Sequence, residues 1–82
     1  MVKVVTNSPL FDGKLAQLDK SQRIKLKKLM LKIEENPKIG KPMRYERKST
    51  REVYMKPFRL SYEYDQHEDH LTFLDLYHKK HQ

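Results

Sequence analysis

The sequence predicts a single small α+β domain, 1–82, of order β-α-α-β-β-β. A helical hairpin packs on one face of a mainly antiparallel four-stranded sheet. Three observations predict it. A lysine-rich stretch from about Asp19 to Asn36 carries apolar residues at helical spacing, and residues 58–65 alternate apolar and ionic side chains with a period of two. The strand-like segments after residue 50 are joined by short turns, which makes them an antiparallel meander. With 82 residues, 37% of them hydrophobic, the chain can build one compact core and no second domain.

Each element has a local reason. Val2, Val4, Val5 and Thr6 form a β-branched run, and Asn7-Ser8-Pro9 then offers an N-cap with proline at the first helical position. Phe11, Leu15 and Leu18 recur at i, i+4 and i+7, giving a short helix over about 8–18, weakened by Gly13. Asp19 and Gln22 form a capping-box pattern, and Ile24, Leu26, Leu29, Met30, Leu31 and Ile33 then line a second helix. Asn36-Pro37 stops it, because proline disfavours helix at the residue before it. Thr50 to Met55 alternates as a strand, Lys56-Pro57 interrupts it, and Phe58, Leu60, Tyr62 and Tyr64 alternate with Arg59, Ser61, Glu63 and Asp65. Gln66 to Asp69 is a polar turn, and Leu71 to Tyr77 a last apolar strand whose two faces the pattern does not separate.

Composition excludes several chemistries. There is no Cys, so disulfide scaffolds, thiolate zinc sites and a cysteine nucleophile are absent, and two Gly cannot build a Gly-rich phosphate loop. No apolar stretch approaches the roughly 18 residues of a membrane span, so no membrane partner is expected and the expected address is the cytoplasm. The pairs His67/His70 and His78/His81 flank a strand of about seven residues and so stand about 20 Å apart, too far to share an ion. No metal or cofactor is expected. The formal charge is +7, and it is concentrated: residues 38–59 hold eight cations against two carboxylates, whereas residues 60–82 are net acidic.

That basic segment borders an uncovered sheet face. If Phe58, Leu60, Tyr62 and Tyr64 point at the helices, Arg59, Ser61 and Glu63 stand on the other side. Arg44, Arg47, Lys48, Arg51, Tyr54 and Lys56 from neighbouring segments add phosphate-binding cations and aromatic surface, a combination suited to single-stranded RNA. The same charges also suit a solvated face that keeps edge strands from pairing, and composition leaves both readings open. Arg59 likewise fits either a ligand contact or a cross-strand ion pair with Glu63 or Glu52. Tyr62 and Tyr64 are expected in the core, and Tyr45 and Tyr54 as exposed stacking surfaces. His78, followed by Lys79-Lys80, has the chemistry of a general acid or base, and equally that of a histidine in a surface tail.

The order of elements, together with Glu34-Glu35-Asn36-Pro37, Gly40-Lys41-Pro42-Met43, Phe58-Arg59-Leu60-Ser61-Tyr62-Glu63-Tyr64 and Leu76-Tyr77-His78-Lys79, resembles the RelE/ParE toxin superfamily, most closely its RelE branch. The resemblance covers nearly the whole chain. It implies the toxin of a toxin–antitoxin pair. The RelE branch is a metal-independent mRNA interferase that cleaves mRNA on the ribosome and inhibits translation; the ParE branch inhibits DNA gyrase. Arg59 matches the family arginine that contacts the scissile phosphate, and His78 matches a histidine after the last strand of some relatives. Lys48, Arg51 and Lys56 fall where the family places cations around the substrate. In the endoribonuclease this implies, the 2′-OH attacks the adjacent phosphate, Arg59 stabilises the developing charge, and His78 or Glu46 moves protons. Implied partners are an acidic antitoxin segment covering Arg59, mRNA on the ribosome, and operator DNA through the antitoxin complex. Tyr54 stands where the family usually has an arginine, and the sequence closes at Gln82 without the terminal tyrosine of many active members. These departures set a catalytically decayed, antitoxin-binding member beside the gyrase inhibitor as alternatives.

Overall fold

The computed structural model describes residues 1–43 and 49–78. In chain order the elements are β1 (Val4–Asn7), α1 (Pro9–Ala16), α2 (Lys20–Glu35), β2 (Lys41–Pro42), β3 (Thr50–Met55), β4 (Phe58–Asp65) and β5 (His70–His78). The helix starts follow from side-chain chemistry. Ser8 Oγ accepts from the Phe11 amide at 3.0 Å and donates to Leu74 O at 2.6 Å, so one hydroxyl both caps α1 and ties it to β5. Asp19 and Gln22 close the expected capping box, with the Gln22 amide 2.8 Å from Asp19 Oδ1 and the Asp19 amide 3.3 Å from Gln22 Oε1. At the far end of α2 the Asn36 amide donates to Lys32 O, and Pro37 follows.

The apolar stripe of α2 is narrower than the sequence suggests. Leu26 and Ile33 are fully buried and Leu29 and Met30 pack against the core, but Ile24 and Leu31 are about half exposed. At 3.6 residues per turn Ile24 lies about 200° around the helix from Leu26 and cannot share its face. The core joins Phe11, Leu18, Leu26 and Ile33 of the helical layer to Leu60, Tyr62, Leu71, Phe73 and Leu76 of the sheet, with the Phe11 and Phe73 rings stacked at 5.4 Å.

The sheet has five strands, in the order β1-β5-β4-β3-β2, rather than the four expected. The fifth is β2, two residues that pair antiparallel with β3 at Lys41 opposite Glu52 and Pro42 opposite Arg51. Two residues carry no periodicity, so no pattern in the sequence announces them. The β3-β4-β5 meander is antiparallel as expected, and β1 joins β5 in parallel, Val4 opposite His70 through Asn7 opposite Phe73. Beyond Phe73 the outer edge of β5 is covered by α1 instead. There Lys14 Nζ donates to Leu76 O at 2.9 Å and to Asp75 Oδ1 at 3.1 Å.

One irregularity sets the faces of β5. Ser61 stands opposite Asp75 and Tyr62 opposite Phe73, so Leu74 is an extra residue in the ladder. Leu71, Phe73 and Leu76 therefore all reach the core, and beyond the bulge Asp75 and Tyr77 share a face with Arg59. Among the described residues no helix is long and apolar enough to cross a membrane.

Candidate functional site

The face of the sheet away from the core is assembled from alternate residues of three strands. β3 supplies Thr50, Glu52 and Tyr54, β4 supplies Arg59, Ser61 and Glu63, and β5 supplies Asp75 and Tyr77. Arg59 sits between cross-strand partners, with Tyr54 opposite on β3 and Tyr77 opposite on β5. Tyr54 is 53% exposed, an aromatic surface beside a guanidinium.

Glu52 organises this centre. Arg59 Nη1 donates to Glu52 Oε1 at 2.7 Å, and the Tyr77 hydroxyl donates to Glu52 Oε2 at 2.6 Å. The cross-strand ion pair weighed from the sequence is thus present, with Glu52 as the partner; Glu63 instead accepts from Ser49 Oγ at 3.1 Å. Burial and then the hydrogen bond and charge of Glu52 push the Tyr77 phenol up to about 12, against a smaller opposing pull from Arg59. Tyr77 is therefore a neutral hydrogen-bond donor at physiological pH. A groove runs across this face from Leu10 and Lys14 of α1, over Asp75, Ser61 and Glu52, to Met43 beside β2.

The other sequence candidates are dispersed. Arg51 is on the helix-facing side, where its Nη1 donates to Gly40 O at 2.7 Å and Lys38 O at 3.2 Å, so its cation is engaged with the loop leading into β2. Lys56 is exposed in the β3–β4 turn. His78 pairs with Phe58 and sets its ring edge-on to the Phe58 ring at 5.8 Å, on the side opposite Arg59, although it borders the end of the groove. Arg44, Glu46, Arg47 and Lys48 lie outside the described residues, as do Tyr45 and His81. Tyr62 is wholly buried, its hydroxyl donating to Pro37 O at 2.7 Å and accepting from the Gly40 amide at 2.9 Å.

The structure thus brings together Arg59 and Tyr54 from the sequence candidates, selects Glu52 from the two carboxylates weighed as partners of Arg59, and adds Tyr77, which had no assigned role beside them. Glu52 as an organiser follows from strand alternation on β3. Tyr77 required the register of β5, which the bulge hides.

No family model matches the chain, and no curated protein matches it. Solved structures do. The chain is similar to the toxin–antitoxin complex RelBE2 from Mycobacterium tuberculosis, with a TM-score of 0.82 at 20% identity over 96% of this chain and 100% of that one. It is also similar to the isolated E. coli RelE toxin, with a TM-score of 0.79 at 15% identity over 92% of this chain and 82% of that one. The archaeal RelE–RelB complex from Pyrococcus horikoshii gives 0.77 at 13% identity over the full length of both chains.

Proposed function

We propose, from a chain that carries the RelE/ParE toxin fold, that this protein is the toxin of a type II toxin–antitoxin pair and acts as a ribosome-dependent mRNA endonuclease. The observation that carries the reading is the placement of Arg59 at the middle of the open sheet face, between an exposed tyrosine ring and a neutral tyrosine hydroxyl. A guanidinium there suits the charge that builds on a phosphorus under attack by the neighbouring 2′-OH, and Tyr54 offers a platform for an unstacked base. The 2′-oxygen forms a bond to phosphorus and loses its proton to an acceptor, while the 5′-oxygen departs and takes a proton. The products are a 2′,3′-cyclic phosphate and a 5′-OH. Glu46 and His78 remain the proposed proton carriers, with Arg44, Arg47, Lys48 and Lys56 holding the backbone of the message.

Two of the similar structures are complexes, the toxin–antitoxin pair RelBE2 and RelE with RelB, which supports a cognate antitoxin as the partner of this chain, and the +7 charge favours an acidic one. Contact with operator DNA would then come through that complex. The second reading, gyrase inhibition without nuclease chemistry, is favoured by one observation: the His78 ring lies on the side of the sheet away from Arg59. Inducing the protein in cells and following a translated message by primer extension, beside a supercoiling assay with purified gyrase, tests the two together. Discrete cuts in the message with normal supercoiling support the endonuclease; inhibited supercoiling over intact message supports the alternative.

A further inference from the structure

Two cations at the open face, Arg59 on β4 and Lys14 at the α1 wall of the groove, are each paired with a carboxylate of this chain. Arg59 is held by Glu52 at 2.7 Å and Lys14 by Asp75 at 3.1 Å. An anion approaching Arg59 therefore meets a guanidinium already paired with a carboxylate. We propose that Glu52 is a resident anion on Arg59, and that a phosphodiester binds by exchange, taking the Nη1 donor that Glu52 occupies. This rests on the reading that the Arg59 face binds RNA.

Three features carry the exchange. Guanidinium–carboxylate and guanidinium–phosphate contacts use the same donor geometry, so the two anions compete for that donor. The Glu52 side chain is 20% exposed and the Arg59 side chain 28%, which leaves solvent access to the contact. Above all, the Tyr77 hydroxyl donates to the other oxygen of Glu52, so a carboxylate that releases Arg59 keeps a hydrogen bond and is not stranded. Glu52 thereby sets a threshold: a ligand must be anionic and shaped for the guanidinium to displace it, which biases the site toward phosphodiesters over neutral surfaces.

The test measures binding of the full-length protein to a short 2′-O-methyl RNA, which cannot be cleaved, by fluorescence anisotropy. E52Q keeps the shape of the side chain and its acceptor for Tyr77 while removing the charge. It is expected to bind about fivefold or more tightly than the parent, the effect of one unit charge roughly 4 Å away in a water-like medium. R59A is expected to bind more weakly, and E52Q/R59A no more tightly than R59A. E63Q, the same charge change on the same face away from Arg59, is expected to shift binding less than twofold. Glu52→Ala carries the same comparison if E52Q is poorly folded. An E52Q protein that binds like the parent or more weakly, while R59A weakens binding, overturns the exchange and leaves the RNA-binding reading in place. A gain from E52Q that persists undiminished without Arg59 also overturns it. An R59A protein that binds like the parent removes the site itself.

Discussion

Arg59 and Tyr77 face each other across the β4–β5 pair, and each donates to a different oxygen of the Glu52 carboxylate, at 2.7 and 2.6 Å. Three strands thus contribute one side chain each to a single hydrogen-bonded unit on the open face. A shared acceptor fixes the two donors relative to one another, so a change in any member is felt by the other two.

The Tyr77 phenol is held up to about 12 against the ordinary 10.0 of a tyrosine, chiefly by burial and then by Glu52. Between those values the unfolded chain has lost the proton and the folded chain keeps it, so stability falls as pH rises through this window. Y77F removes this contribution. Denaturant unfolding measured from pH 9 to 12 is expected to fall less steeply for Y77F than for the parent; parallel curves would contradict the assignment.

Gly40 is required by close approach. A Cβ there would lie 2.5 Å from the Tyr62 hydroxyl oxygen and 2.9 Å from Cε1, against a buried ring whose hydroxyl already bonds Gly40 N and Pro37 O. G40A is expected to lose about 1–3 kcal/mol, the usual effect of overpacking. Thermal unfolding checks it, and G40A is expected to cost less in a Y62F background than in the parent, because the closest clashing atom is gone.

Arg51 lies within β3 and Lys56 directly follows it, and the two are expected to separate cleanly. Arg51 satisfies the carbonyls of Lys38 and Gly40 on the helix-facing side, whereas Lys56 is exposed in the turn. R51A is expected to lower stability by about 1–3 kcal/mol through those unmet acceptors. K56A is expected to change stability by less than about 0.5 kcal/mol while reducing the log–log salt slope of RNA binding by about 0.7. A salt titration of RNA affinity beside thermal unfolding of both variants decides; a flattened slope in R51A at unchanged stability would reverse the assignment.

Much of this architecture is legible in the residues because local and global signals agree. Ser8-Pro9, the Asp19–Gln22 box and Asn36-Pro37 bound the two helices, and the alternation from Phe58 to Asp65 assigns Arg59 to the open face and Tyr62 to the core. The faces of β5 were not legible, because the extra residue Leu74 shifts the core positions from Leu71 and Phe73 to Leu76 and breaks the period of two. That shift places Tyr77 beside Arg59 and turns His78 toward Phe58. The pairing of Arg59 with Glu52 rather than Glu63 also depended on register, since both carboxylates lie on the same face.

Cleavage of RNA on the ribosome by the Arg59 face, as proposed, is tested by adding purified protein to ribosomes stalled on a defined message and mapping the new ends. The expected result is cleavage within the codon held by the ribosome, with a 2′,3′-cyclic phosphate upstream and a 5′-OH downstream. An R59A protein that is still folded is expected to cut about 100-fold more slowly or worse. A message left intact by the folded parent protein, or an R59A protein that cuts as fast as the parent, would contradict the proposal.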